Sequence, residues 1–142
     1  MEMKEALTAA TIFTRLSKGS LQALERAAKV RHYSPGELLV EEGEEAVAFF
    51  VLMSGEAEVV KGVKVGTEVK LEQLKEGNFF GEMALLDGFP RSASVRALTD
   101  CEAVVLVRWD FLGTVRANPV VALDILPILS QRLRKCEDML LP

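Results

Sequence analysis

FFGEMALLDGFPRSASV, residues 79–95, is where this chain concentrates its chemistry. The stretch opens on Phe-Phe-Gly-Glu, passes through a short apolar turn and closes on Pro-Arg-Ser-Ala-Ser-Val. A short helix is expected to start near Gly81 or Glu82 and to end before Asp87-Gly88. Gly81 has no side chain, so the backbone there can approach a ligand closely. The first N–H groups of a helix lack intrahelical partners, and together with the helix dipole they favour an anion. Arg91 brings a planar fork of donors suited to phosphate. Glu82 is an acceptor-only carboxylate, suited to sugar hydroxyls. A helix end, an arginine and a glutamate together describe a site for a phosphate joined to a sugar.

Gly81-Glu82-Met83-Ala84-Leu85-Leu86 followed by Pro90-Arg91-Ser92-Ala93-Ser94-Val95 resembles the phosphate-binding cassette of cyclic nucleotide-binding domains. This is the family of the catabolite activator protein and the regulatory subunit of protein kinase A. The match is long, unlike a lone Gly-rich triplet. The resemblance implies that Glu82 binds the ribose 2′-hydroxyl and Arg91 the cyclic phosphate. It implies that backbone groups at Gly81, Met83 and Ala84 complete the cradle, with Ser92 beside the phosphate. Phe80 and Ala93 flank these positions and join the expected ligand-binding set. The implied ligand is cAMP, with cGMP open because the Ser92 hydroxyl could meet a guanine amino group. No metal is implied.

Around the cassette the pattern is helix, strands, helix. Residues 3–16 carry an apolar stripe of Leu7, Ala10, Ile12, Phe13 and Leu16 that predicts one helix. Ser20 is expected to cap a second helix ending at Lys29, with Leu21, Leu24 and Ala28 inward. From Val30 short strands alternate with turns such as Ser34-Pro35-Gly36 and Ser54-Gly55. The apolar run Ala48–Met53 predicts a strand buried on both faces. Residues 56–60 and 68–74 alternate and predict half-exposed strands. Two more strands are expected at 94–97 and 101–107. The fold expected is mainly β: a β-roll or jelly roll over 30–108, with N-terminal helices over 1–29 and a C-terminal helical lid over 109–142. All of it forms a single domain, 1–142.

In the last third, 109–117 predicts a helix packing Trp109, Leu112 and Val115 or Arg116 on the roll. Asn118-Pro119 restarts a helix. It carries a seam of Ala122, Leu126, Leu129, Leu133, Cys136 and Leu140, whose spacing resembles a coiled coil and suggests a homodimer. Pro127 is expected to kink or split this helix near Leu123. The resemblance places Arg132 near the pocket and Cys136 and Glu137 where base-contacting hydroxyls would lie. Neither of those two carries a hydroxyl, so Arg132 and Leu133 are the candidates for the base.

Composition narrows the function. The 142 residues are 49% hydrophobic with a net charge of −4, enough for one core and poorly suited to nucleic acid or an anionic membrane. No helix-turn-helix or basic recognition helix follows the last helix, so no direct DNA contact is expected. The N-terminus lacks a signal peptide's apolar run, and the two cysteines, Cys101 and Cys136, read as reduced thiols of a cytoplasmic protein. A jelly roll also suits cupin-type metalloenzymes, but one histidine, His32, cannot supply such a site. The expectation is a non-enzymatic cyclic nucleotide sensor with an unknown protein partner. Two alternatives stay open: an interaction domain with a vestigial pocket, and a cGMP-binding module of a larger transcription-factor-like or channel-like system.

Overall fold

The computed structural model describes residues 1–45, 47–88 and 90–140. Phe89, inside the expected cassette, and the last two residues of the expected 109–142 region lie outside the described residues. Eight antiparallel strands form two four-stranded sheets. One sheet runs in the order β1 (Lys29–Tyr33), β8 (Cys101–Val107), β3 (Ala48–Ser54), β6 (Phe79–Phe80). The other runs β2 (Leu38–Val40), β7 (Ser94–Ala97), β4 (Ala57–Lys61), β5 (Val69–Leu74). Helices flank the sheets at both ends of the chain, giving the jelly-roll architecture.

Period-two alternation explains why the core has two halves. Phe49 and Val51 of β3 face the helices and join Leu7, Phe13, Leu24, Phe111 and Val121 in one cluster. Phe50 and Leu52 face the other way and join Leu39, Ala57, Val95 and Val105 between the sheets. β3 is therefore buried on both faces, as its unbroken apolar run predicts. Two strands of the second sheet differ from expectation. β4 is mostly buried, including Glu58 at 8% exposure, because Arg96 on β7 meets that carboxylate at 2.7 Å. β5 is a sheet edge and leaves Val69 and Leu71 in solvent.

The helical ends depart from the sequence expectation at five points. The expected helix 3–16 is instead α1 (Met3–Thr8) followed by a 3-10 turn at Thr11–Phe13. Ala10 is extended between them, which lets Ile12 and Phe13 enter the core completely. α2 (Lys18–Ala27) is capped by Ser17, whose hydroxyl accepts from the Ser20 amide at 3.2 Å. Ser20 is 3% exposed and donates its hydroxyl to Asp124 instead. In α4 (Arg108–Ala117) Phe111 is buried and Trp109 is exposed, so Phe111 rather than Trp109 packs inward with Leu112 and Val115.

α5 (Val120–Leu140) runs through Pro127 without a split. A helical proline removes one hydrogen bond, to the carbonyl four residues back. That residue is Leu123, which is exposed, so its freed carbonyl sits on the solvent side of the helix. The inward face of α5 is Val121, Ile125 and Ile128. The expected seam splits: Leu129 packs partly on the core, while Leu126, Leu133 and Leu140 face outward. Among the described residues no single helix is long and apolar enough to cross a membrane.

Candidate functional site

β3 and β6 deliver the cassette. Leu52 and Asn78 are bonded across the two strands at 2.9 Å, which sets the direction in which Phe79 and Phe80 leave the turn. Phe80 stacks on Phe50 with ring centroids 4.8 Å apart, so the chain enters Gly81 over a fixed aromatic floor. Gly81 has φ +81°, a conformation that side chains disfavour. A Cβ there would lie 2.7 Å from the Ala48 carbonyl oxygen and would run into the Arg91 guanidinium. The close approach that glycine permits is thus first an approach to Arg91.

α3 (Ala84–Asp87) is shorter than expected, because residues 82–83 form a turn before it. The Ala84 amide donates to the Gly81 carbonyl at 3.1 Å, so it is not an open donor as the resemblance implies. Among the described residues the amides of Glu82, Met83, Ser92 and Ala93 donate to no other group.

Arg91 is fixed through its backbone. Its N–H donates to the Glu44 carbonyl at 2.8 Å, and its carbonyl accepts from Gly43 at 2.9 Å. Its guanidinium donates to the Ala48 carbonyl and lies 5.8 Å from the Phe50 ring centroid. Burial holds the guanidinium below its ordinary pKa, and the nearby Glu44 charge opposes that shift. Among the described residues no carboxylate forms an ion pair with Arg91. It is a partly desolvated cation with donors to spare.

Glu82 shows the complementary state. Its side chain is 14% exposed, and Oε1 accepts from Arg132 of α5 at 2.7 Å. Its Oε2 is buried without a hydrogen-bond partner among the described residues. A buried unpaired acceptor costs free energy, so it marks a place where a donor is missing. Arg132 also approaches the Met83 sulfur at 3.5 Å.

These groups open on a cavity of about 480 Å³. Of the residues expected from sequence, Phe80, Gly81, Glu82, Met83, Ala84, Arg91, Ser92 and Ala93 all line it. Arg132 reaches it only through Glu82 and Met83, and Leu133 is 61% exposed and does not line it. Sequence reasoning missed the opposite wall, made by Val40, Val95, Val59 and Glu72. Strand alternation can mark those side chains as inward, but only cross-strand register brings them together. His32 lies elsewhere, at the surface, 3.5 Å from Asp100. Among the described residues no three metal-ligating side chains gather.

Known proteins carry the same domain. The profile of the Cyclic nucleotide-binding domain matches residues 30–118. The chain is 36% identical over 107 residues to the Cyclic AMP receptor protein of Thermus thermophilus, covering 75% of this chain and 50% of that protein. It is 40% identical over 86 residues to the cAMP-dependent protein kinase regulatory subunit of Mycosarcoma maydis, covering 61% of this chain and 16% of that one. The chain thus spans at most about half the length of these relatives. Among solved structures, the N-terminal domain of a transcriptional regulator from Streptomyces coelicolor A3(2) superposes with a TM-score of 0.86 at 26% identity, covering 96% of each chain. The chain belongs to the cyclic nucleotide-binding domain family.

Proposed function

We propose that this domain is a cAMP receptor that binds without catalysis and signals through α5. One observation carries the reading. Arg91 and Glu82 line the same cavity; among the described residues the partly desolvated Arg91 has no carboxylate partner, and Glu82 keeps one buried oxygen without a donor. A cyclic phosphate satisfies the first and a ribose hydroxyl the second. Arg91 and the amides of Ser92 and Ala93 take the phosphate, and Glu82 Oε2 takes the 2′-hydroxyl. The cavity volume falls in the usual range for small-molecule sites, about 300–1,000 Å³. The names of the relatives favour cAMP over cGMP. Titration calorimetry tests this: saturable one-site binding of cAMP supports the reading, and no heat at millimolar ligand contradicts it.

A vestigial pocket is the competing reading, since Arg132 already engages Glu82. The orphaned Oε2 argues against it, because a pocket released from binding gains by closing on such an atom. α5 is the signalling element in this proposal, because its Arg132 touches the ribose-binding carboxylate. The outward leucines of α5, Leu126, Leu133 and Leu140, are 55%, 61% and 83% exposed and form the face for a second copy of this chain.

A further inference from the structure

The wall opposite the cassette has an order that the family resemblance does not supply. Val40 on β2 pairs with Val95 on β7, Val95 pairs with Val59 on β4, and Val59 pairs with Glu72 on β5. These four side chains form one row across the second sheet, one per strand, in strand order. Directly paired residues point to the same face, and all four line the cavity. The row is an apolar track of three valines that ends in a carboxylate at the sheet edge.

The cassette gives the track a phosphate end. Arg91, Ser92 and Ala93 lead directly into β7, which starts at Ser94. With the phosphate on Ser92 and Ala93 at the head of β7, Val95 and Val59 offer a flat apolar face on which a base can lie. Strands are spaced about 4.8 Å apart, so Glu72 lies roughly 10 Å from the β7 line. A base laid over Val95 and Val59 would bring its far edge to Glu72, away from the phosphate the carboxylate would repel. Among the described residues the Glu72 side chain forms no hydrogen bond or ion pair.

We infer that Glu72 reads the base edge of the bound cyclic nucleotide, selecting a hydrogen-bond donor at the purine 6-position. The inference rests on the proposed cAMP site. A carboxylate only accepts, so it pairs with an exocyclic amino group as acidic side chains do with amino-bearing bases. Adenine presents such an amino group. A 6-oxo purine turns a lone pair toward the carboxylate and is disfavoured. Base selection thus comes from the edge strand of the roll, whereas Leu133, a candidate for the base from the sequence, is exposed on α5.

The test is a binding cycle with cAMP and its 6-deamino analogue, purine riboside cyclic monophosphate, on wild type and Glu72→Ala. The analogue loses only the donor and adds no bulk. Wild type should prefer cAMP by about tenfold, the lower end for a hydrogen bond to a charged acceptor, since Glu72 is exposed to water. Glu72→Ala should bind the two ligands alike. If wild type binds both equally, or the gap survives in Glu72→Ala, the inference is overturned while the cAMP site stands. If cAMP itself does not bind, the proposed function falls and the inference falls with it.

Discussion

Arg132 donates to Glu82 Oε1 at 2.7 Å across fifty positions of sequence, and among the described residues Glu82 Oε2 stays buried without a partner. One carboxylate thus has one oxygen committed to α5 and one buried without a hydrogen-bond partner among the described residues. A ligand that takes Oε2 changes the carboxylate that α5 holds, and a ligand shifts a helix only through such differential contact.

Arg132→Ala removes the link between α5 and the cassette. The expected outcome is cAMP binding weakened by about tenfold, within the usual range of coupling between sites. Amide exchange over residues 128–140 should slow on adding cAMP in wild type and respond little in the variant. If affinity stays within twofold and exchange is indifferent to ligand in both proteins, α5 is not the signalling element.

Glu82 can be separated from the phosphate contact by the ligand itself. Wild type should bind 2′-deoxy-cAMP at least about tenfold more weakly than cAMP, since a hydrogen bond to a charged acceptor is lost. In Glu82→Ala the two ligands should bind alike. Equal affinities in wild type would remove Glu82 from the ribose.

Asp124 ties α5 to the N-terminal helices. It accepts from the Ser17 amide at 2.9 Å and the Ser20 hydroxyl at 3.0 Å, and the Ser17 amide is the main cause that lowers its pKa. A depressed carboxylate stabilises the fold above its ordinary value of 3.8, and that contribution fades as pH falls below it. Asp124→Ala should lower unfolding free energy by about 0.5–1 kcal/mol at neutral pH, since solvent screens this surface clasp, and by less at pH 3, by urea titration. The same loss at both pH values would mean that packing, not the ionised clasp, holds this contact.

How much of this was legible in the sequence depended on whether local pattern or register carried the information. The cassette was legible because its chemistry sits in one continuous stretch. β3 was legible because a strand buried on both faces has to be apolar throughout. The cap of α2 was misplaced because Ser17 and Ser20 both suit it, and only Asp124, far along the chain, separates their roles. Trp109 and Phe111 each fit an inward stripe with Leu112 and Val115, and tertiary packing chose Phe111. The row from Val40 to Glu72 was not legible, because strand pairing is not encoded in any one strand. Leu133 was assigned to the pocket by position alone, and α5 turns it outward.

The outward face of α5 gives a prediction about assembly. Leu126 and Leu133 are exposed, whereas Leu129 packs partly on the core. Leu126→Lys with Leu133→Lys should convert a dimer to monomers in sedimentation while circular dichroism of the roll is retained. A wild type that is monomeric at high micromolar concentration ends the proposal of a second copy on this face.

Arg91 carries the central claim, because its partly buried guanidinium has no carboxylate partner among the described residues and lines the cavity. The most direct measurement is calorimetric titration of cAMP into wild type and Arg91→Ala. Loss of a desolvated charge-assisted contact costs about 2–5 kcal/mol, so binding should weaken by at least about thirtyfold. Arg91→Lys should recover only part of it, because a point charge lacks the planar fork. An Arg91→Ala protein that stays folded and binds cAMP within threefold of wild type would contradict the account.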